Sequence, residues 1–282
     1  MKSLRSIPNN SLVFIICLFI AGNTNSQIVR GRITDVESKN PISFASIGLL
    51  HRNAGVVADF DGIFSLNLDS FSETDTLRIS AIGFEAQDFL VSHCRTYFIQ
   101  DGNINFELVP KVKAFDEVTV VPNSSKIIIS GNNIKSSMIV AGFQNKNRGA
   151  ELGTILKYSK KRKGQILTFN FNIAGHLNDT ILFRINLYDL KNSIPNKNIL
   201  DEPIYFKSTP SDGKLTFDVS ELDLFIKEDC FLSIELIDQL DFEGLFFNSA
   251  FLKSPSFHRE TPLNDWVKAN VDLGFWCEIR YK

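Results

Sequence analysis

Gly55-Val-Val-Ala-Asp59-Phe-Asp61-Gly62-Ile-Phe64-Ser-Leu66-Asn-Leu68 decides the fold. Asp61-Gly62 is a two-residue turn signal with β-prone residues on both sides. After the turn Phe64, Leu66 and Leu68 alternate with polar residues, so all three share one face of a strand. Outward from this hairpin the same grammar repeats. Ile28 to Ile33 alternates, and Pro41 to Leu50 is a β-rich run. Thr76 to Ile82, Phe84 to Val91 and Ile104 to Leu108 complete six or seven short strands with no good helix among them. That spacing predicts an all-β sandwich over residues 27–110.

The blocks carry a family resemblance. Ile-x-Gly31-x-Ile is followed by Pro41-Ile-x-Phe-Ala-x-Ile and Gly55-Val-Val-Ala-Asp59-x-Asp-Gly62-x-Phe64. Leu77-Arg-Ile-Ser-Ala-Ile-Gly83-Phe84 and Phe106-Glu-Leu close the series. Together they resemble the carboxypeptidase regulatory-like domain, a prealbumin-like Greek-key sandwich common in exported proteins of Bacteroidetes-type bacteria. Ala58 stands where that family often has Thr. The resemblance implies fold and envelope location, not peptidase activity, because catalysis in the namesake enzymes belongs to a separate zinc domain. Asp59 and Asp61 read as hairpin chemistry rather than a calcium loop, which needs six to eight oxygens.

The N-terminus reads as an address. Lys2 and Arg5 precede the apolar run Leu12 to Ala21, and Gly22 to Ser26 are small or polar. This is signal-peptide order, with cleavage expected before Gln27. The apolar run is too short for a membrane helix, which needs roughly 20 residues. No later run approaches that length, so no transmembrane helix is expected in the mature chain. Export permits disulfides, and Cys230 with Cys277 is the expected pair; the alternative is three buried thiols.

Residues 111–148 hold six bases and two acids and are rich in Ser, Asn and Gly, which predicts a basic linker with a strand at Ile127–Ile129. Within it Phe115-Asp-Glu-Val-Thr-Val120 is similar to the stretch after this domain in TonB-dependent transporters. The residues beyond Pro122 are too few for the 22-stranded barrel and plug of such a transporter. From residue 149 alternation returns in longer strands. Gln165 to Ile173 places Leu167, Phe169, Phe171 and Ile173 on one face, and Thr180 to Tyr188 sets Ile181, Phe183, Ile185 and Leu187 against Leu182, Arg184, Asn186 and Tyr188. Seven or eight strands over residues 149–282 predict a second sandwich of jelly-roll type. Phe183-Arg-Ile-Asn-Leu-Tyr-Asp189 with Phe217-Asp-Val-Ser220 is similar to jelly-roll accessory domains.

The fold class is therefore all-β, two sandwiches behind a signal peptide at 1–26. Charge is nearly balanced, 30 Lys+Arg against 32 Asp+Glu in 282 residues, which argues against nucleic-acid binding. No Gly-x-Ser-x-Gly or His-Glu-x-x-His occurs, and His and Cys lack zinc-ligand spacing. No catalytic residue, metal or cofactor is therefore expected. The binding candidates are Trp266 in a polar loop, suited to stacking on a sugar or peptide, and the basic run Lys160, Lys161, Arg162 and Lys163, suited to anionic glycan or lipid phosphate. Thr76 and Thr180 follow Asp and precede an aliphatic residue, like O-glycosylation sites of exported Bacteroidetes proteins. The expected function is non-catalytic binding of a glycan, peptide or envelope protein by a periplasmic, outer-membrane-associated or secreted chain. The alternatives are a glycan- or peptide-processing enzyme with converging acids, and a periplasmic partner of a TonB-linked system.

Overall fold

The structure is a computed structural model. It describes residues 28–101, 103–111, 125–143, 148–175, 180–209, 213–237, 244–251 and 255–281. The expected signal peptide and the Phe115–Val120 stretch lie outside the described residues.

The N-terminal domain is a two-sheet sandwich. Its strands are β1 (Ile28–Asp35), β2 (Ser46–Leu49), β3 (Gly55–Val57), β4 (Ile63–Asn67), β5 (Thr76–Ser80), β6 (Gln87–Leu90) and β7 (Ile104–Leu108). One sheet runs β4-β1-β7 and the other β3-β2-β5-β6. β1 pairs antiparallel with β4 and parallel with β7. The alternation drives the packing. In β4 Phe64 and Leu66 are buried between exposed neighbours, and Ile104, Phe106 and Leu108 do the same in β7. Phe64 and Phe106 then stack at 5.9 Å within a core that includes Val29, Ile33, Ile47, Leu77 and Ile79. The expected turn forms: Gly62 has φ +72°, and Asp59 Oδ1 accepts from the amides of Asp61 (3.0 Å) and Ile63 (2.8 Å).

One helix corrects the expectation that residues 27–110 hold none, and the strand expected over Phe84–Val91 is shorter. The strand is confined to β6, and α1 (Val91–Asp101) follows it. His93 and Cys94 therefore sit about 100° apart on a helix, His93 exposed and Cys94 buried against the domain core.

The second domain begins earlier than residue 149. β8 (Lys126–Gly131) and β9 (Ile139–Phe143) belong to its sheets, so the second half of the expected linker is folded. The strand expected at Ile127–Ile129 is β8. There follow β10 (Glu151–Leu156), β11 (Gly164–Asn172), β12 (Ile181–Lys191), β13 (Ile194–Asn198), β14 (Ile204–Ser208), β15 (Lys214–Asp218) and β16 (Phe225–Ile226). The last six are β17 (Cys230–Leu236), β18 (Leu245–Ala250), β19 (Ser256–Arg259), β20 (Val267–Lys268), β21 (Asp272–Leu273) and β22 (Phe275–Tyr281). One layer is β13-β12-β17-β10-β19-β20, with β14 also on β12; the other holds β15-β11-β22-β8 and β21-β18-β9. All pairings are antiparallel, and β8 lies beside β22, from Trp276↔Gly131 to Tyr281↔Lys126.

Phenylalanines fill this sandwich. Phe275 meets Phe171 and Phe247 edge-on at 4.7 and 4.9 Å. Ile181, Phe183, Ile185 and Leu187 face the core as the alternation requires. β11 departs from it, because a bulge between Ile166 and Thr168 shifts the register. One extra residue changes which parity faces inward, so Ile166 rather than Leu167 joins Phe169, Phe171 and Ile173 in the core.

Candidate functional site

The polar face of β12 looks, in sequence, like a solvent face. It is instead covered, by Phe44 and Ser46 of the N-terminal domain at Arg184 and by Trp266 and Arg259 at Tyr188. One row of residues crosses four strands by register: Arg184 on β12 opposes Glu235 on β17, Glu235 opposes Glu151 on β10, and Glu151 opposes Arg259 on β19. The signs read plus, minus, minus, plus. Glu151, Glu235 and Asn186 are each 1% exposed and Arg184 5%.

Every carboxylate oxygen has a donor. Arg184 grips Glu235 in a fork, Nε to Oε2 at 2.8 Å and Nη2 to Oε1 at 2.7 Å. Asn186 Nδ2 donates to both acids, to Glu151 Oε1 and Glu235 Oε2, at 2.9 Å each. Ser233 Oγ donates to Glu151 Oε1, and Arg259 donates from Nε and Nη2 to Glu151 Oε2. Tyr188 OH also bonds Glu151 Oε2 at 3.2 Å. Burial alone would lower the pKa of both arginines. The adjoining carboxylates, Glu235 for Arg184 and Glu151 for Arg259, override that and raise both above their ordinary value. Burial pushes the Tyr188 phenol well up, so it stays a neutral donor.

The row ties the domains together. Arg184 Nη1 donates to the Phe44 carbonyl at 2.6 Å, and Nη2 to Ser46 Oγ at 3.1 Å. Phe44 has φ +57°, an uncommon conformation for a bulky residue, and its ring meets Tyr205 edge-on at 5.3 Å. A strained residue here marks a contact that the surroundings over-determine. A second contact comes from the loop after β19. Asn53 Nδ2 donates to Glu260 Oε2 at 2.9 Å, Thr261 and Asn264 both donate to Asn53 Oδ1 at 3.2 Å, and His51 meets Asp265 at 2.9 Å. The Pro262 carbonyl sits so close to Gly48 and Gly55 that a Cβ on either would lie 2.7 or 2.8 Å from it. Only glycine permits that approach.

Two buried carboxylates side by side would suit acid–base chemistry in an open cleft. Here Glu235 is paired with Arg184, which docks on Phe44 and Ser46 of the N-terminal domain, and Glu151 with Arg259 under Tyr188 and Trp266, so the arrangement supports docking. Sequence reasoning missed it, although its signal was present: Arg184-x-Asn-x-Tyr188, Ser233-x-Glu235 and Glu151 place polar groups on one face of three neighbouring strands.

Trp266, expected as an open stacking platform, is half-buried. It meets Tyr188 at 5.5 Å and Phe231 at 4.9 Å, and the Arg259 guanidinium lies 4.4 Å over its ring. It thus caps the outer cluster of Ile155, Tyr188, Phe231 and Phe257. The basic run forms the turn between β10 and β11. Tyr158 is buried and donates to the Arg162 carbonyl, Lys157 pairs with Asp229 at 2.7 Å, and Lys160 lies over Tyr281. Lys161 and Arg162 remain exposed and Lys163 is half-buried. Trp266 is thus brought against the Arg259 end of the buried row, whereas the basic turn lies apart from it.

Thr180 is exposed and hydrogen-bonds Thr209 at 2.6 Å; Thr76 is half-buried at the start of β5. The expected Cys230–Cys277 disulfide is not formed. Both are free thiols buried in the second core, and burial raises Cys230 to about 12 and Cys277 well above the ordinary thiol value. Cys94 is likewise free and buried. Among the described residues no His/Cys/Asp/Glu group could hold a metal ion, and no helix is long and apolar enough to cross a membrane.

Two β-sandwiches locked by a charge-balanced polar row define a two-domain all-β protein. Residues 29–120 match the family model described as CarboxypepD_reg-like domain, which shows the resemblance for the N-terminal domain. No curated protein matches the chain.

Proposed function

We propose that this is an exported, non-catalytic binding protein of the cell envelope, which takes a glycan, a peptide or another envelope component. One observation carries the proposal. The only adjacent pair of buried carboxylates in the described residues, Glu151 and Glu235, is closed off and matched by Arg259 and Arg184. What remains accessible is the surface of a unit whose two domains are held in one geometry. Rigid presentation suits recognition, because little ordering entropy is lost on binding. The signal-like N-terminus and the regulatory-like domain support an envelope location.

The test is a glycan array and an envelope pull-down with the exported protein. Wild type is compared with a Lys161→Ala/Arg162→Ala variant and with Glu151→Gln. Capture of a ligand without turnover supports the proposal. Hydrolysis of a captured glycan or peptide that disappears in folded Glu151→Gln protein refutes it.

A further inference from the structure

The edge of the N-terminal sandwich opens on a groove of about 660 Å³. Its walls are two strand edges, for β3 ends one sheet and β4 ends the other. Val56, Val57, Ile63 and Ser65 line it, with Arg30 from β1 and Arg148 and Thr261 from beyond the linker. Residues of both domains therefore line the groove.

β4 is built to accept another strand. The amide of Ile33 bonds the Gly62 carbonyl, and the register Gly31↔Phe64 and Arg30↔Ser65 continues from there. Hydrogen-bonded and non-bonded pairs alternate along an antiparallel ladder. Ser65 and Asn67 are thus non-bonded positions whose N–H and C=O point away from β1, whereas at Ile63 the outward N–H and C=O are both already bonded to Asp59. Ser65 and Asn67 are both exposed.

The charge is equally directed. Arg30 stands directly across from Ser65 on the same face, and both line the groove. Arg148 stands on the second-domain side. Neither arginine has a carboxylate partner among the described residues. Asp59, the acid at the groove, already accepts two turn amides. Residues 27–110 hold eleven acids against six bases, and residues 149–282 nineteen against sixteen. Two unpaired arginines on an acidic protein form a local positive site.

We infer that this groove binds an extended peptide carrying carboxylate side chains, added as a strand to β4. This rests on the binding reading above and names its ligand class. A free edge offers donors and acceptors at the repeat of a polypeptide, which an acidic glycan does not match.

The probe is a fluorescein-labelled, end-blocked heptapeptide of alternating Glu and Val, followed by anisotropy at low and high salt. Controls are the Lys-for-Glu peptide and an oligogalacturonate. Binding by wild type, weakened by salt, is expected, with at least about a tenfold rise in Kd for Arg30→Gln/Arg148→Gln. Ser65→Pro should lose binding similarly, since proline removes only an outward N–H and edge strands tolerate it. Circular dichroism verifies that both variants fold. The inference is overturned if wild type does not bind the acidic peptide, if either folded variant binds it unchanged, or if oligogalacturonate binds equally to wild type and Ser65→Pro. Failure here with a persisting glycan-array or pull-down ligand removes the groove and leaves the broader binding function intact.

Discussion

Replacing Arg184 with Met tests the polar row most directly. Arg184 makes four hydrogen bonds, two to Glu235 and two across the domain boundary to Phe44 and Ser46. The change leaves Glu235 buried with Asn186 as its remaining donor. Breaking one side of a buried ion pair costs about 3–5 kcal/mol. With a urea slope of about 2 kcal/mol per M, the unfolding midpoint should fall by about 1.5–2.5 M. The two tryptophans both lie in the second domain, and Trp266 contacts Arg259 in the same row, so intrinsic fluorescence follows the transition there. The variant Arg184→Met/Glu235→Leu should recover at least about 2 kcal/mol of the loss, because the stranded charge is gone. Full recovery is not expected, since the Phe44 carbonyl and Ser46 hydroxyl still lose a donor, at about 1–2 kcal/mol. A midpoint shift under about 0.5 M, or a double variant as unstable as the single one, would refute the reasoning.

Three further outcomes are expected. Arg78 forks Asp88 at 2.6 Å on both bonds, and this hydrogen bonding lowers the Asp88 pKa. The stabilisation is then complete above the unfolded carboxylate value and lost as pH falls through the lowered folded value; Asp88→Asn should flatten the acid side of a melting-temperature profile taken from pH 6 to 2. Gly62→Ala should cost about 1–3 kcal/mol in denaturant titration, because φ +72° is unfavourable for alanine and its Cβ would lie 2.5 Å from the Ile33 carbonyl. Iodoacetamide at pH 8 should leave Cys94, Cys230 and Cys277 unlabelled in the native protein and alkylate all three after unfolding, read by mass spectrometry.

The N-terminal domain was legible because its local signals agree. The Asp61-Gly62 turn, the Phe64/Leu66/Leu68 alternation and the Ile104/Phe106/Leu108 alternation all point to one sandwich. α1 was not, for its sequence has no acid in the first turn and no base in the last, so nothing in it announces a helix. β8 was half-legible. Its isoleucines suggest a strand, but at a sheet edge Ile127 and Ile129 stay 59% and 58% exposed, and the basic, Asn-rich surroundings look like a linker. The docking row was hidden for a different reason. Polar residues alternating along a strand mean solvent unless something covers them, and the cover is Phe44 and Ser46 of the other domain at one end and the distant Trp266 loop at the other. Trp266 was misjudged likewise, since a polar loop does not reveal that Arg259 and Tyr188 fold against the indole.

The adjacency of β8 and β22 bears on how the second domain is made. Tyr281 must find Lys126 before that sheet is complete. Such distant pairing slows folding, since the loop must close before its contacts stabilise it. A chain threaded across a membrane from its N-terminus would hold β8 and β11 without their shared neighbour until β22 emerged. Over that interval the edges of β8 and β11 that β22 later pairs would stay open to any other strand.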